Sequence, residues 1–389
     1  MLDETKKINS VSILIYLVLI FMFSTVGVVF WQISTYISNK NKSKQKKPSV
    51  SINRSISSAI NYIPPSDTTG STNIIKRNPP AYALRDYYIL ASYNTCITGS
   101  YDNGAASIQA LRDALALGFR FLDFEIYSEE GTDNPIVSCS IITTSLGVNP
   151  IQTESPLQFS EVMEHLTTYA FVDYGCMNFT DPVIINLRIK TDNANIPTKL
   201  ANIFNKYNQF ILGPKYSFNK NNTNFGETLL PNLINKISIF VESINDHYTQ
   251  NRQFMEYVNM CNNLDYLSVK TWDDFNMQTL STEDTINYNK QHMTIIIPDQ
   301  AVSNLSNKLI TGFQLVGCQI VCLIIPENDS YFKESMNFFN NRHAAFVLKP
   351  PKLRYISDTI PLPKPQLPQY SYKPREVTVP DSMNVEVQI

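Results

Sequence analysis

Apolar positions along this chain fall into three regimes. Val11 to Ile37 is a nearly continuous apolar run without a charged residue. Residues 49–80 are rich in Ser, Asn, Ile and Pro and show no sustained period. From Tyr82 to Tyr355, short apolar runs alternate with segments whose apolar residues recur every three to four positions. The short runs predict strands at Tyr88–Ala91, Phe121–Ile126, Ile136–Ser138, Val183–Leu187, Ile237–Val241, Tyr266–Val269, Thr294–Ile297, Ile320–Ile325 and Ala344–Leu348. The longer period predicts helices at Ala106–Leu117, Phe159–Ala170, Ile196–Tyr207, Val302–Gly312 and Tyr331–Asn340. In the first of these, Ile108, Leu111 and Leu115 share a face and Gly118 supplies the C-terminal cap. Such alternation predicts the α/β class and a parallel (β/α)8 barrel of TIM type. A doubly wound open sheet is the alternative, because periodicity does not show closure.

The first regime predicts one transmembrane helix, Val11–Ile37, ahead of the barrel. A hydrocarbon core of about 30 Å takes about 20 apolar residues, so this run spans it with tilt. Residues 1–10 form a short flank. Five lysines follow the span, Lys40, Lys42, Lys44, Lys46 and Lys47, against Lys6 and Lys7 before it. The positive-inside rule then predicts a single-pass membrane protein with its C-terminal part on the cytoplasmic side. The same lysines are candidates for contact with anionic lipid. Residues 38–80 read as a basic and then polar arm. Residues 356–389, rich in proline, read as an extended tail, because proline donates no amide to helix or sheet. Both 48–80 and 356–389 are candidate docking segments for protein partners.

Composition narrows the chemistry. A net charge of −2 over 389 residues gives no electrostatic case for a nucleic-acid partner. Four histidines are few for an acid–base enzyme of this size, and the six cysteines show no CxxC spacing. They lie beside apolar runs, as free buried thiols of a reducing compartment do.

The stretch ILASYNTCITGSYDNGAASIQALRDALALGFRFLDFEIY, Ile89–Tyr127, resembles the opening of the X region of eukaryotic-type phosphoinositide-specific phospholipases C. The resemblance continues through PIVSCSIITTS (135–145), SPLQFSEVMEHLTTYAF (155–171), DPVIINLRIK (181–190) and LLPNLINKISIFVES (229–243). A Y-like half follows in MTIIIPDQ (293–300), GFQLVGCQIVCLIIP (312–326) and FVLKPPKLRY (346–355), with the triplets Gly317-Cys318-Gln319 and Leu348-Lys349-Pro350 in order. It implies a distorted phospholipase C-type barrel over 81–355, with an X-like half at 81–245 and a Y-like half at 264–355. The stretch around His247–Asn262 would be a shortened linker between them.

The resemblance also implies a site, and this chain departs from it. The family's first catalytic histidine falls at Tyr93 and its second at Cys139. Of the calcium ligands, Asn94 is kept, and Asp123 and Glu125 keep two carboxylates in swapped order. The remaining ligand, a glutamate in the family, falls at Arg188. The phosphate-binding positions fall at Phe240, Glu242, Ile295 and Ile297. Tyrosine, with an ordinary pKa of about 10, is a poor base at neutral pH, and a guanidinium cannot ligate calcium. The expectation is therefore a catalytically inactive barrel without calcium or other metal, in which Arg188 pairs with Asp123 or Glu125. His165, the nearest histidine in sequence, is expected on an outer helix, away from any chemistry. The role expected is structural. An Asn-, Ile- and Lys-rich composition fits an AT-rich genome, and in a large DNA virus an anchored barrel would tie an internal virion membrane to a capsid. The alternatives are a phosphoinositide-binding module without catalysis and a residual calcium-independent phosphodiesterase.

Overall fold

A computed structural model describes residues 82–356, with breaks at 100–104, 140–154, 177, 219–223, 244–246, 263–264, 276–280 and 300–305, and also residues 375–378 and 384–387. The expected membrane span, the lysine cluster and the 48–80 arm lie outside the described residues. No helix among the described residues is long and apolar enough to cross a membrane.

The elements used below are β1 (Tyr87–Ser92), α1 (Ile108–Ala116), β2 (Phe121–Ser128), β3 (Pro135–Ser138), α2 (Phe159–Tyr169), β4 (Val183–Ile189), α3 (Ile196–Lys206), β5 (Ile237–Ser243), β6 (Val258–Cys261), β7 (Leu267–Thr271), α4 (Thr282–Gln291), β8 (Met293–Ile297), α5 (Ile310–Gln314), β9 (Ile320–Leu323), α6 (Ser330–Asn340) and β10 (Phe346–Leu348). Eight of the strands run parallel in the order β7-β8-β9-β1-β2-β4-β5-β6. They form a nearly closed barrel of TIM type, since no pairing joins β6 to β7 among the described residues. Strands β3 and β10 stand outside the parallel path, antiparallel to β2 and β1 respectively.

Residues 247–262 are not a linker. They hold two helical turns, His247–Gln250 and Arg252–Met255, and then β6, a strand of the barrel wall. Asn259 in β6 explains why a Val-Asn-Met-Cys run serves as a strand. Its Oδ1 accepts from Ile239 N at 2.8 Å and its Nδ2 donates to the Tyr216 carbonyl at 3.0 Å, where the β5–β6 register shifts. The side chain supplies the pairing that the bulge removes from the backbone. The helix expected over Val302–Gly312 lies outside the described residues at 302–305, and it is corrected over 306–309, which are not helical; the described helix is Ile310–Gln314. Just before it, buried Asn307 donates to the carbonyls of Ile324 and Glu327 and accepts from Ile324 N, so its amide is spent on the end of β9. Tyr355–Ile389 is a separate compact unit. Within it Arg375–Thr378 pairs antiparallel with Asn384–Val387, so the tail is not simply extended; Pro374 and Pro380 flank the first strand rather than interrupt it.

Register assigns the barrel's inner face, because paired residues of neighbouring strands point the same way. Ala91 pairs with Phe121, Asp123 with Asn186, Glu125 with Arg188, and Arg188 with Glu242. Ile295 and Ile320 continue the same face on the far side. The lower interior is aromatic, with Phe240 set edge-on to Phe121 and Phe225 at 6.2 and 6.0 Å between centroids. Charge begins one layer higher.

At the opposite end, the two C-terminal triplets meet. Gln319 accepts from Thr294 N and donates to the carbonyls of Arg85, Asn289 and His292, while Lys349 Nζ donates to the Asn289 carbonyl at 3.0 Å. A side chain at Gly317, where φ is +82°, would be strained and would approach Lys349 Nζ within 3.7 Å. Burial lowers the Lys349 pKa to about 7, against the pull of Asp86. The unfolded chain therefore binds a proton there that the native chain releases, and stability rises with pH above 7. Between pH 7 and 9 this gain is about 2–3 kcal/mol at 1.4 kcal/mol per unit. Urea unfolding of wild type and Lys349→Met across that range should diverge by this amount, and parallel curves would refute it.

Candidate functional site

The upper interior of the barrel is built by two alternations, Asp123-Phe124-Glu125 on β2 and Asn186-Leu187-Arg188 on β4. In each, the polar residues face inward and the apolar residue between them packs outward under the helices. Chain geometry after β1 completes the group. Asn94 adopts φ +42°, a left-handed conformation that asparagine tolerates, which turns its backbone N–H onto Asp123 Oδ2 at 3.0 Å. Thr95 adds a second clamp, its N–H bonding the Asp123 carbonyl and its Oγ1 accepting from Asp123 N.

Arg188 occupies the centre. Its Nε donates to Asp123 Oδ1 at 2.9 Å and its Nη2 to Asp123 Oδ2 at 2.7 Å, a bidentate pair. Nη1 donates to Glu125 Oε1 at 2.8 Å, and Nη2 also reaches Asn94 Oδ1 at 2.7 Å. Its planar carbon lies 4.6 Å from the centre of the Tyr93 ring, a cation–π contact. Arg188, Asp123 and Glu125 are all fully buried. Burial alone would lower the arginine's pKa, but the carboxylates of Asp123 and Glu125 hold it well above its usual value. Two further residues belong to this group and were not anticipated from the sequence. Asn186 Nδ2 donates to Asp123 Oδ1 at 2.9 Å, and Tyr127 OH donates to Glu125 Oε2 at 2.8 Å. Both stand two positions from a named site residue, so period-two alternation was the signal that could have found them.

The structure thus brings Tyr93, Asn94, Asp123, Glu125 and Arg188 together. Burial raises the Tyr93 phenol's pKa well above its ordinary value, despite Arg188, so at neutral pH it is a hydrogen-bond donor and not a base. Cys139 is buried one residue beyond β3; the residue in register with Glu125 is Ser138. Neither supplies an imidazole. Phe240 lies in the aromatic layer below, and Glu242 stands beside Arg188 in register. Burial raises the Glu242 pKa although Arg188 and Lys190 oppose it, and burial followed by repulsion from Arg188 lowers that of Lys190. Ile295 and Ile297 continue the inner face opposite, fully or almost fully buried. His165 lies on α2, half-buried, stacked on Tyr169 and 3.2 Å from Arg112 Nη2. His292 precedes β8, while His247 and His343 are exposed.

Calcium does not fit this arrangement. It takes six to eight oxygens and favours anionic ones. Here the oxygens that would turn toward the ion are spent on N–H donors and the Tyr127 hydroxyl, and a guanidinium stands among them. Among the described residues, no three His, Cys, Asp or Glu side chains are grouped to hold a metal ion.

Comparison with known proteins agrees with the architecture. Residues 81–256 match the family described as phosphatidylinositol-specific phospholipase C, X domain. Similar solved structures include PLC21 of L. pealei, with a TM-score of 0.54, and PLC21 of S. officinalis, with a TM-score of 0.55, each at 19% identity. The alignments cover 71% of this chain but 38% of those chains, so it spans about two fifths of their length. No curated protein matches the sequence.

Proposed function

We propose that this chain, which carries a phosphatidylinositol-specific phospholipase C X domain over residues 81–256, is a catalytically inactive phospholipase C-like barrel held at a membrane and used as a scaffold. One observation carries the inactivity: the Arg188 guanidinium is bonded to both Asp123 and Glu125 at 2.7–2.8 Å, where the family resemblance puts a divalent cation. Hydrolysis of a phosphodiester by this fold calls for a base to take a hydroxyl proton, an acid to protonate the leaving oxygen, and a cation against the transition-state charge. Tyr93, in a setting that keeps it protonated, does not supply the base. Cys139 and Ser138 do not supply the acid. Arg188 carries positive charge, but its donors are committed to buried carboxylates and Asn94 rather than to a substrate.

Membrane attachment rests on Val11–Ile37, with the barrel on the cytoplasmic side and Lys40, Lys42, Lys44, Lys46 and Lys47 against anionic lipid. Scaffolding would then use the arms at 48–80 and 356–389, and an internal virion membrane joined to a capsid is one setting for it.

A turnover assay tests the inactivity. With a soluble inositol phosphodiester and millimolar calcium, wild type and Asp123→Asn should both remain at the uncatalysed rate. Turnover by wild type that Asp123→Asn abolishes would instead establish the residual phosphodiesterase.

A further inference from the structure

Among the described residues no pairing joins β6 to β7, and a cavity of about 690 Å³ lies along the edge of β7. That volume is in the range of small-molecule sites. It runs from Glu242, on the inner face of β5, past the unpaired edge of β7 to the face of α4 that carries Asp284 and Tyr288. Leu267, Val269 and Phe275 give it an apolar wall.

Two features of the lining point to the occupant. Glu242 Oε2 and Asn262 Oδ1 are buried acceptors without a hydrogen-bond partner, and both belong to this cavity. Native proteins rarely leave such atoms unmatched, so a donor on a bound water or a ligand would satisfy them. The lining is also mostly acidic: Glu242, Asp265 and Asp284 against Lys270, with Arg188 and Lys190 acting on Glu242 from the barrel side. A phosphate-bearing ligand would meet net repulsion, whereas a cation would be attracted and would supply the missing donors. Among the described residues the acids are not grouped to chelate a metal ion, and the apolar wall favours an organic cation.

We propose that this cavity binds a small organic ammonium ligand, its N–H groups on Glu242 and Asn262 and its apolar body against Leu267, Val269 and Phe275. This goes beyond the inert-barrel reading and does not depend on it.

The test is a calorimetric titration of the full-length chain in detergent micelles, with micelle-only heats subtracted. The probes are phenethylammonium, its neutral isostere 2-phenylethanol, and 3-phenylpropanoate. The ammonium probe should saturate a single site with millimolar affinity, the range for a fragment of this size. Affinity should fall at least about tenfold for the alcohol and for Glu242→Gln, a difference well outside scatter. The carboxylate should not bind. Asp284→Asn, on the outer helix, should weaken the ammonium probe and keep the fold, so the proposal stays testable if Glu242→Gln does not fold. Absence of saturable heat with the ammonium probe, equal affinity for the alcohol, or undiminished binding by the folded variants would overturn it.

Discussion

Replacing Arg188 by methionine is expected to cost about 3–5 kcal/mol of stability, because it leaves two buried carboxylates without their cation. Methionine conserves most of the volume and the apolar stem, so the loss measures charge more than packing. Asp123 retains Asn186 and the Asn94 N–H, and Glu125 retains Tyr127, but none of these is a positive charge. The companion variant separates the two causes. Adding Asp123→Asn and Glu125→Gln to Arg188→Met removes the uncompensated charge, and most of the lost stability should return. Urea midpoints for the three proteins give the answer. Arg188→Met within about 1 kcal/mol of wild type, the size of an exposed pair, would mean that the guanidinium is not what balances this interior.

A reversal of sign should have a still larger effect. Arg188→Glu places a third carboxylate beside Asp123, Glu125 and Asn94, and without a cation the variant should be less stable than Arg188→Met. It also restores the ligand type that the family resemblance implies at this position. Calcium should therefore rescue it: at a concentration one hundred times its dissociation constant, the gain is about 2.7 kcal/mol. Wild type should gain nothing from the same calcium. Equal shifts in both proteins, or no shift in the variant, would break the equivalence between the guanidinium and a metal ion.

Much of the fold could be read from local pattern. Runs such as Val183–Ile189 and Ile237–Ser243 are apolar and β-branched, which a strand buried on both faces requires. β6 escaped because it is four residues long and contains Asn259, the extra residue of a bulge against β5. The shortened α5 has a similar cause: Asn307 is committed to the end of β9, a contact distant in sequence. The absence of pairing between β6 and β7 among the described residues left no mark on periodicity either, nor did the cavity along the edge of β7. The site residues were placed by resemblance, but their arrangement follows from chemistry. Once arginine stands at position 188 on the same inner face as two carboxylates, burial without pairing would be prohibitive. Asn186 and Tyr127 lie on the same alternation, two positions from Arg188 and Glu125, but their partners become visible only once the strands are in register.

The most direct measurement is a calorimetric titration of calcium into the full-length wild-type chain at neutral pH. With Arg188 seated between Asp123 and Glu125, no saturable heat should appear up to millimolar calcium. A one-to-one micromolar binding event that Asp123→Asn removes would contradict the account.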